Sequence, residues 1–140
     1  MITFDSLNVK IPELDFEKVK IWLGEVATNH ARQIRNINYL FCDDQEILNV
    51  NKKFLNHDYF TDIITFDYSS RDKVSGDIVI SIDTVKSNAE ELKEDFKREL
   101  LRVIVHGLLH LCGIDDKGIG EREIMERNEN EALELWNHIG

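Results

Sequence analysis

The sequence lacks the features of most specialised chain classes. One proline and seven glycines in 140 residues exclude collagen-like and linker-rich chains. Two cysteines, Cys42 and Cys112, are too few for a disulfide framework, and this composition fits a reducing compartment. No apolar run approaches the ~20 residues that span a bilayer, and no secretory signal is visible at the start. We therefore expect one cytoplasmic domain over residues 1–140, with no membrane partner.

Positive charge is also scarce. The 17 Lys and Arg residues stand against 27 Asp and Glu residues, which gives a net charge of −10 spread along the chain. Affinity for polyanions comes mainly from basic side chains that neutralise phosphates. The balance alone therefore argues against a nucleic-acid partner, and any such contact would need a localised basic face.

Apolar periodicity predicts strands interleaved with helices. Extended segments are expected over residues 2–11, 36–42, 61–68 and 77–82. Helices are expected over residues 15–34, 43–55, 85–112 with a break near Glu94, and 121–136. This order, with one hairpin between the last two strands, predicts a single α+β domain in which a mixed four-stranded sheet packs against helices.

Two histidines carry the clearest chemical signal. Residues 100–112 are apolar almost all round, which predicts a buried helix. His106 and His110 are four residues apart, so both rings lie on one face of that helix, one turn apart. Both can then reach one metal ion at roughly 2.0–2.1 Å. Two core histidines bonded to other polar groups are the alternative, but buried imidazoles need partners, and a shared metal provides them.

A third ligand is expected after Gly113, where the helix should end. Asp116 follows His106 by ten residues, which is the spacing of metzincin-like zinc sites with Asp in place of the usual His. Asp115 is the competing candidate. Three protein ligands leave a fourth position for water, as in catalytic zinc sites. Two histidines and a carboxylate also occur in iron oxygenases, although nothing in the sequence indicates a cosubstrate site.

Gly107 bears on a peptidase interpretation. Metalloproteases of the His-Glu-x-x-His type place their general base directly after the first histidine, and glycine occupies that position here. This disfavours a metalloprotease. Because glycine inside a helix costs ~1 kcal/mol relative to alanine, we expect another element to approach the helix closely at this point.

The histidine segment also resembles a known motif. Residues 106–116 (HGLLHLCGIDD) are similar to the His-Gly-x-Leu-His-Leu-x-Gly-Tyr-Asp-His motif of the YbeY family of rRNA-maturation endoribonucleases. Residues 51–66 resemble the family's Asn-x-x-Tyr-Arg and Thr-Asp-Val-Leu-Ser-Phe segments, and residues 76–81 its Gly-Asp-Ile strand. Met125 and Glu129 fall where its last helix carries such residues.

The resemblance implies an α+β fold, one zinc ion per chain and metal-dependent cleavage of single-stranded RNA. It further implies maturation of the 3′ end of 16S rRNA, ribosome quality control and contact with the small ribosomal subunit. The family's first two ligands fall on His106 and His110, and the third, usually histidine, falls on Asp116. Leu55 stands where the family usually has arginine. The oxygen ligand makes manganese or iron possible substitutes for zinc.

The sequence is also compatible with two other functions. A zinc-binding ribosome-assembly factor with little turnover is the main alternative, because Leu55 and Asp116 depart from the family pattern and arginine would be the natural phosphate clamp at position 55. A metalloprotease is the weaker one. The sequence names no general base and gives no oligomeric state.

Overall fold

A four-stranded mixed sheet forms the centre of the computed structural model, which describes residues 1–57 and 61–139. Its strands are β1 (Ile2–Ser6), β2 (Gln33–Cys42), β3 (Ile63–Asp67) and β4 (Lys73–Ser81). They lie in the order β1-β2-β4-β3, and only β3 runs antiparallel to its neighbour. The predicted α+β class and mixed four-stranded sheet are confirmed, and β3 forms one edge of that sheet.

Five α-helices surround the sheet in the described part of the chain. They are α1 (Phe16–Asn29), α2 (Asp44–Val50), α3 (Ile82–Leu92), α4 (Phe96–Leu111) and α5 (Glu121–His138). A π-helical segment (Asn51–Leu55) continues directly from α2. Across the described residues, no helix combines the length and apolar character that a membrane crossing requires.

Local backbone chemistry sets the helix boundaries. The side chain of Asp43 accepts a hydrogen bond from the Glu46 amide, as the capping pattern predicts for the start of α2. The predicted break near Glu94 is confirmed, because Lys93 adopts a left-handed conformation (φ 56°) between α3 and α4. Gly113 follows α4 with φ +96°, a conformation that glycine adopts without strain.

The first helix is shorter than its apolar pattern suggests. It ends at Asn29, and Ile34 belongs to β2 instead. Ala31 has a positive φ of 59°, which stops the helix. The periodicity runs past this point because Ile34 packs against the same core as the helix.

Alternation along β4 divides the interior into two clusters. Ile78 and Ile80 face the main core, to which α1, α4 and α5 contribute. Val79 faces the opposite side and packs with Ile47 of α2 and Ile64 of β3. Helix α4 therefore covers one face of the sheet while α2 covers the other.

Gly107 lets α4 lie directly on the sheet. A Cβ atom at this position would stand 2.9 Å from Ile78 Cδ1 and 3.1 Å from Ile63 Cδ1, closer than ordinary packing allows. The close approach expected at Gly107 is thus confirmed. It fixes α4 over β3 and β4 and places the histidines of α4 beside the free edge of the sheet.

Candidate active site

An open cleft of about 730 Å³ runs beside α4. Its walls come from the first residues of β3 and the two residues before them (61–65), from α4 and from α5, with further residues from the π-helical segment. His106, His110 and Asp116 all line it, whereas Asp115 is not among its lining residues. The three predicted ligands, from α4 and the turn that follows it, therefore lie on the surface of one cleft, and elements distant in sequence form its other walls.

A buried carboxylate orients His106. Its Nδ1 atom lies 2.7 Å from Glu129 Oε2, a distance typical of a charge-assisted hydrogen bond in which the ring nitrogen donates. Glu129 is only 8% exposed and also lies 3.4 Å from Nη1 of Arg102. The same Arg102 nitrogen donates to Asn130 Oδ1 at 3.1 Å. The second ring nitrogen, Nε2, is left facing Asp116, whose Oδ2 is 3.4 Å away.

The surroundings of His106 oppose each other in their effect on its pKa. Burial lowers the pKa because it disfavours the imidazolium form. The hydrogen bond to Glu129 and the negative charges of Glu129, Asp116 and Asp62 outweigh burial, so the net shift is upward. The imidazolium form of His106 is therefore more favoured than in a free histidine.

The two aspartates near the histidines occupy different places. Asp116 Oδ2 approaches His106, while Asp115 Oδ1 stands 3.8 Å from His110 Nδ1, too far for a hydrogen bond. Over residues 1–57 and 61–139, no group of three or more His, Cys, Asp or Glu side chains is arranged to hold a metal ion. The structure thus pairs His106 with Asp116 but does not bring His110 into a complete three-ligand set.

The donor chemistry nevertheless fits zinc. Imidazole nitrogens and a carboxylate are ordinary zinc ligands. Metal-binding histidines commonly donate their second ring nitrogen to a carboxylate, which fixes the tautomer, and His106 does so with Glu129.

Two further carboxylates belong to the cleft. Burial raises the pKa of Asp62, and the nearby His106 only partly opposes this shift. Burial also raises the pKa of Glu99, against the effect of Arg102. Glu99 Oε1 lies 3.6 Å from Arg102 Nε and has no hydrogen-bond partner among the described residues. Asp62, Glu99 and Glu129 therefore make this part of the cleft acidic, although Arg102 and Arg122 also line the cleft.

The spacing of polar residues along α4 predicts the wall of the cleft that this helix forms. Glu99, Arg102, His106 and His110 recur at intervals of three or four residues on a helix that is mainly apolar after its first turn, so they share one face. Glu129 was noted only through the family resemblance. Its pairing with His106 depends on how α5 packs on α4, which periodicity does not give.

Positions 55 and 107 are placed differently relative to the cleft. Leu55, 39% exposed, lines it. Gly107 faces Ile78 and Ile63, so a side chain there would point into the sheet. The segment 51–66 that carries part of the family resemblance includes residues 58–60, which lie outside the described residues.

Comparison with known proteins identifies the family. The sequence profile described as endoribonuclease YbeY matches residues 2–137. The chain belongs to the endoribonuclease YbeY family. The prediction of a nuclease, and hence of a hydrolase, is confirmed at this level.

Relatives of the YbeY family match over nearly their whole length. Endoribonuclease YbeY of Phocaeicola vulgatus is 53% identical over 135 residues, which cover 96% of this chain and 98% of the relative. That of Parabacteroides distasonis is 50% identical, with 96% and 94% covered. The solution structure of TM1509 from Thermotoga maritima superposes with a TM-score of 0.67 at 27% identity, covering 99% of this chain and 93% of that one.

Proposed function

We propose that this YbeY-family endoribonuclease is a metal enzyme that cleaves single-stranded RNA and carries one zinc ion per chain. The observation that carries the proposal is the His106–Glu129 pair, which leaves Nε2 of His106 directed to a cleft shared with His110 and Asp116. His106, His110 and Asp116 would hold the ion. The carboxylate oxygen makes manganese or iron possible substitutes.

The protein's own groups prepare the site for a phosphodiester. When bound, zinc supplies Lewis-acid polarisation of a phosphate oxygen and a lowered pKa for its water. Glu129 holds the tautomer of His106, and Arg102 holds Glu129 in place. Lys117 and Arg122 line the cleft and are positioned to contact phosphates of the substrate.

The biological substrate we propose is ribosomal RNA. The family resemblance supports maturation of the 3′ end of 16S rRNA on the small ribosomal subunit, in the cytoplasm. An unpaired strand suits an open cleft, because its bases are free to contact protein groups.

Metal analysis paired with RNA cleavage tests the proposal. Purified protein is expected to contain about one zinc per chain and to cut single-stranded RNA, but not unstructured peptides. His106→Ala, His110→Ala and Asp116→Ala should each lose stoichiometric metal and cleavage, because two ligands hold zinc weakly. Asp115→Ala is the matched control and should retain both.

Two results would reverse parts of this assignment. Retention of one zinc by Asp116→Ala, with loss on Asp115→Ala, would transfer the ligand role to Asp115. Peptide hydrolysis that depends on His106, without RNA cleavage, would replace the nuclease with a peptidase.

A zinc-binding ribosome-assembly factor with little turnover is the second candidate. It is favoured by Leu55, which puts an apolar side chain in the cleft where a phosphate clamp would be useful. It predicts binding to the small subunit that survives loss of the three ligands, and RNA cleavage too slow to measure.

A further inference from the structure

Phe54 projects from the π-helical segment next to the cleft. It is 61% exposed, one of two aromatic side chains that are more than half exposed in the described part of the chain. Its ring meets that of Phe66 on β3 almost perpendicularly, at 80° and 5.8 Å between centroids. The contact with Phe66 fixes the orientation of the Phe54 ring, while most of its surface remains open to solvent.

Lysines accompany this aromatic side chain. Lys52 and Lys53 directly precede Phe54 and are exposed, and Lys53 Nζ lies 5.3 Å from the centre of the Phe54 ring. In a chain with a net charge of −10, this is a local reversal of sign. A lysine beside an exposed aromatic ring is the combination with which proteins bind single-stranded nucleic acids, because the ring stacks on a base while the ammonium meets a phosphate.

The π-helical segment that carries Phe54 also borders the cleft. Leu55 and Asn51, from the same π-helical segment, both line the cleft. The segment ends at Asn56, whose left-handed conformation (φ 56°) closes it. Single-turn π segments occur frequently at functional sites. Phe54 and Phe66 do not themselves line the cleft, and Phe66 packs on the α2 side of the sheet. A strand that leaves the cleft past Leu55 and turns around β3 would reach Phe54.

We propose that Phe54, supported by Phe66 and flanked by Lys53, is a base-stacking subsite for single-stranded RNA adjacent to the cleft. The inference rests on the proposed function, since it assumes that RNA occupies the cleft. Every base has a π face, so the subsite tolerates any sequence. It requires an unpaired base, because the bases of a duplex already stack on one another, and it therefore contributes to selection of single strands.

Binding of a fluorescein-labelled ten-nucleotide RNA without secondary structure tests the subsite by fluorescence anisotropy. Phe54→Ala should weaken binding about tenfold, the loss expected for one base–aromatic stack. Phe54→Leu, which keeps an apolar side chain but has no ring, should bind as weakly as Phe54→Ala. Phe54→Trp should bind at least as well as the wild type. Ile21→Ala, at an exposed apolar position on α1, is the matched control and should change nothing.

Cleavage kinetics separate a binding subsite from a structural role. Phe54→Ala should raise KM about tenfold and leave kcat nearly unchanged, because the ring contacts the substrate away from the reacting phosphate. Thermal unfolding of each variant checks that the fold is intact. Oligonucleotide integrity is checked on a gel after each titration.

The outcomes distinguish the subsite from the function it rests on. If the wild type cleaves RNA and Phe54→Ala binds and cleaves it equally well, the subsite is overturned and the proposed function stands. Phe54→Leu with wild-type affinity also overturns it and would indicate an apolar contact, as with a protein partner. If the Phe54 variants change RNA binding as expected but the wild type does not cleave RNA, the subsite is retained and the proposed catalysis is rejected. A wild-type chain that binds no single-stranded RNA overturns both.

Discussion

At the residue scale, the environment of His106 determines which ring nitrogen is available. Glu129 takes Nδ1, and Arg102 in turn pairs with Glu129. A buried carboxylate next to a histidine is costly unless both groups have hydrogen-bond partners. The pairing with Glu129 therefore favours a role for the free nitrogen, Nε2, in the cleft. Glu129 thus positions the ring of His106 in the cleft.

Substitution of Glu129 tests this positioning role. Glu129→Gln should weaken zinc binding about tenfold to a hundredfold, because the amide holds the imidazole less well, as chelator competition would show. In the metal-free protein it should also lower the pKa of His106, since burial, which lowers that pKa, would lose its main opponent. NMR titration measures this shift.

The control for this variant is a second carboxylate–histidine pair, both members of which lie on α5, the helix that carries Glu129. Glu134 lies 3.4 Å from His138 Nε2, but both side chains are more than two-thirds exposed. Glu134→Gln should leave zinc affinity and the pKa of His106 unchanged. Equal zinc affinity in Glu129→Gln and the wild type would contradict the positioning role.

Leu55 permits a gain-of-function experiment. Because its side chain lines the cleft and is partly exposed, Leu55→Arg can place a guanidinium in the cleft without burying an unpaired charge. We expect kcat/KM for RNA to rise about tenfold, the order of one charge-assisted hydrogen bond. Leu92→Arg adds the same charge elsewhere in the cleft and should give a smaller increase. Equal gains would mean that only overall charge matters.

At the element scale, α4 combines two demands along its length. One face must lie close enough to β3 and β4 to exclude any side chain at Gly107, and another must present Glu99, Arg102, His106 and His110 to the cleft. The polar face interrupts an otherwise buried helix. Its position relative to the sheet is therefore fixed by the contact at Gly107.

Paired glycine substitutions test the contact. Gly107→Ala should lower the free energy of unfolding by about 1–3 kcal/mol, because its Cβ would overlap Ile78 and Ile63 and these packed side chains would have to shift. Gly24→Ala, inside α1 with nothing within 4 Å of the added Cβ, should raise it by up to ~1 kcal/mol. Urea unfolding measures both. A stabilised Gly107→Ala would show that the sheet relaxes readily around α4.

Local patterns predicted most of these elements. Capping at Asp43, the break near Glu94 and the glycine after α4 all follow from near neighbours in sequence. The predicted end of α1 was wrong because Ile34 continues the apolar spacing of the helix, whereas the backbone turns at Ala31. The π-helical segment and the Glu129 pairing were missed, since both depend on packing between distant segments.

At the scale of the whole molecule, charge opposes the proposed substrate. The net charge of −10 repels RNA at long range, and Asp62, Glu99 and Glu129 make the cleft floor acidic. Attraction must come from a few cations close to the strand. Lys117 and Arg122 in the cleft and Lys53 beside Phe54 are three such cations, whereas Arg102 is paired with Glu99 and Glu129.

Salt dependence of RNA cleavage measures how many of these contacts form. Each phosphate neutralised in a single strand contributes about −0.7 to the slope of log affinity against log salt. Three contacts predict a slope of about −2 for log kcat/KM against log salt. Salt also screens the repulsion between RNA and the acidic protein, which makes the slope less steep at low salt. Replacing Lys117 and Arg122 by glutamine should make this slope less negative by about 1.4. The matched double variant at Lys10 and Lys20, outside the cleft, should keep the wild-type slope. If both double variants lose the same amount, RNA responds to the net charge of the whole protein, and the cleft cations make no direct phosphate contacts.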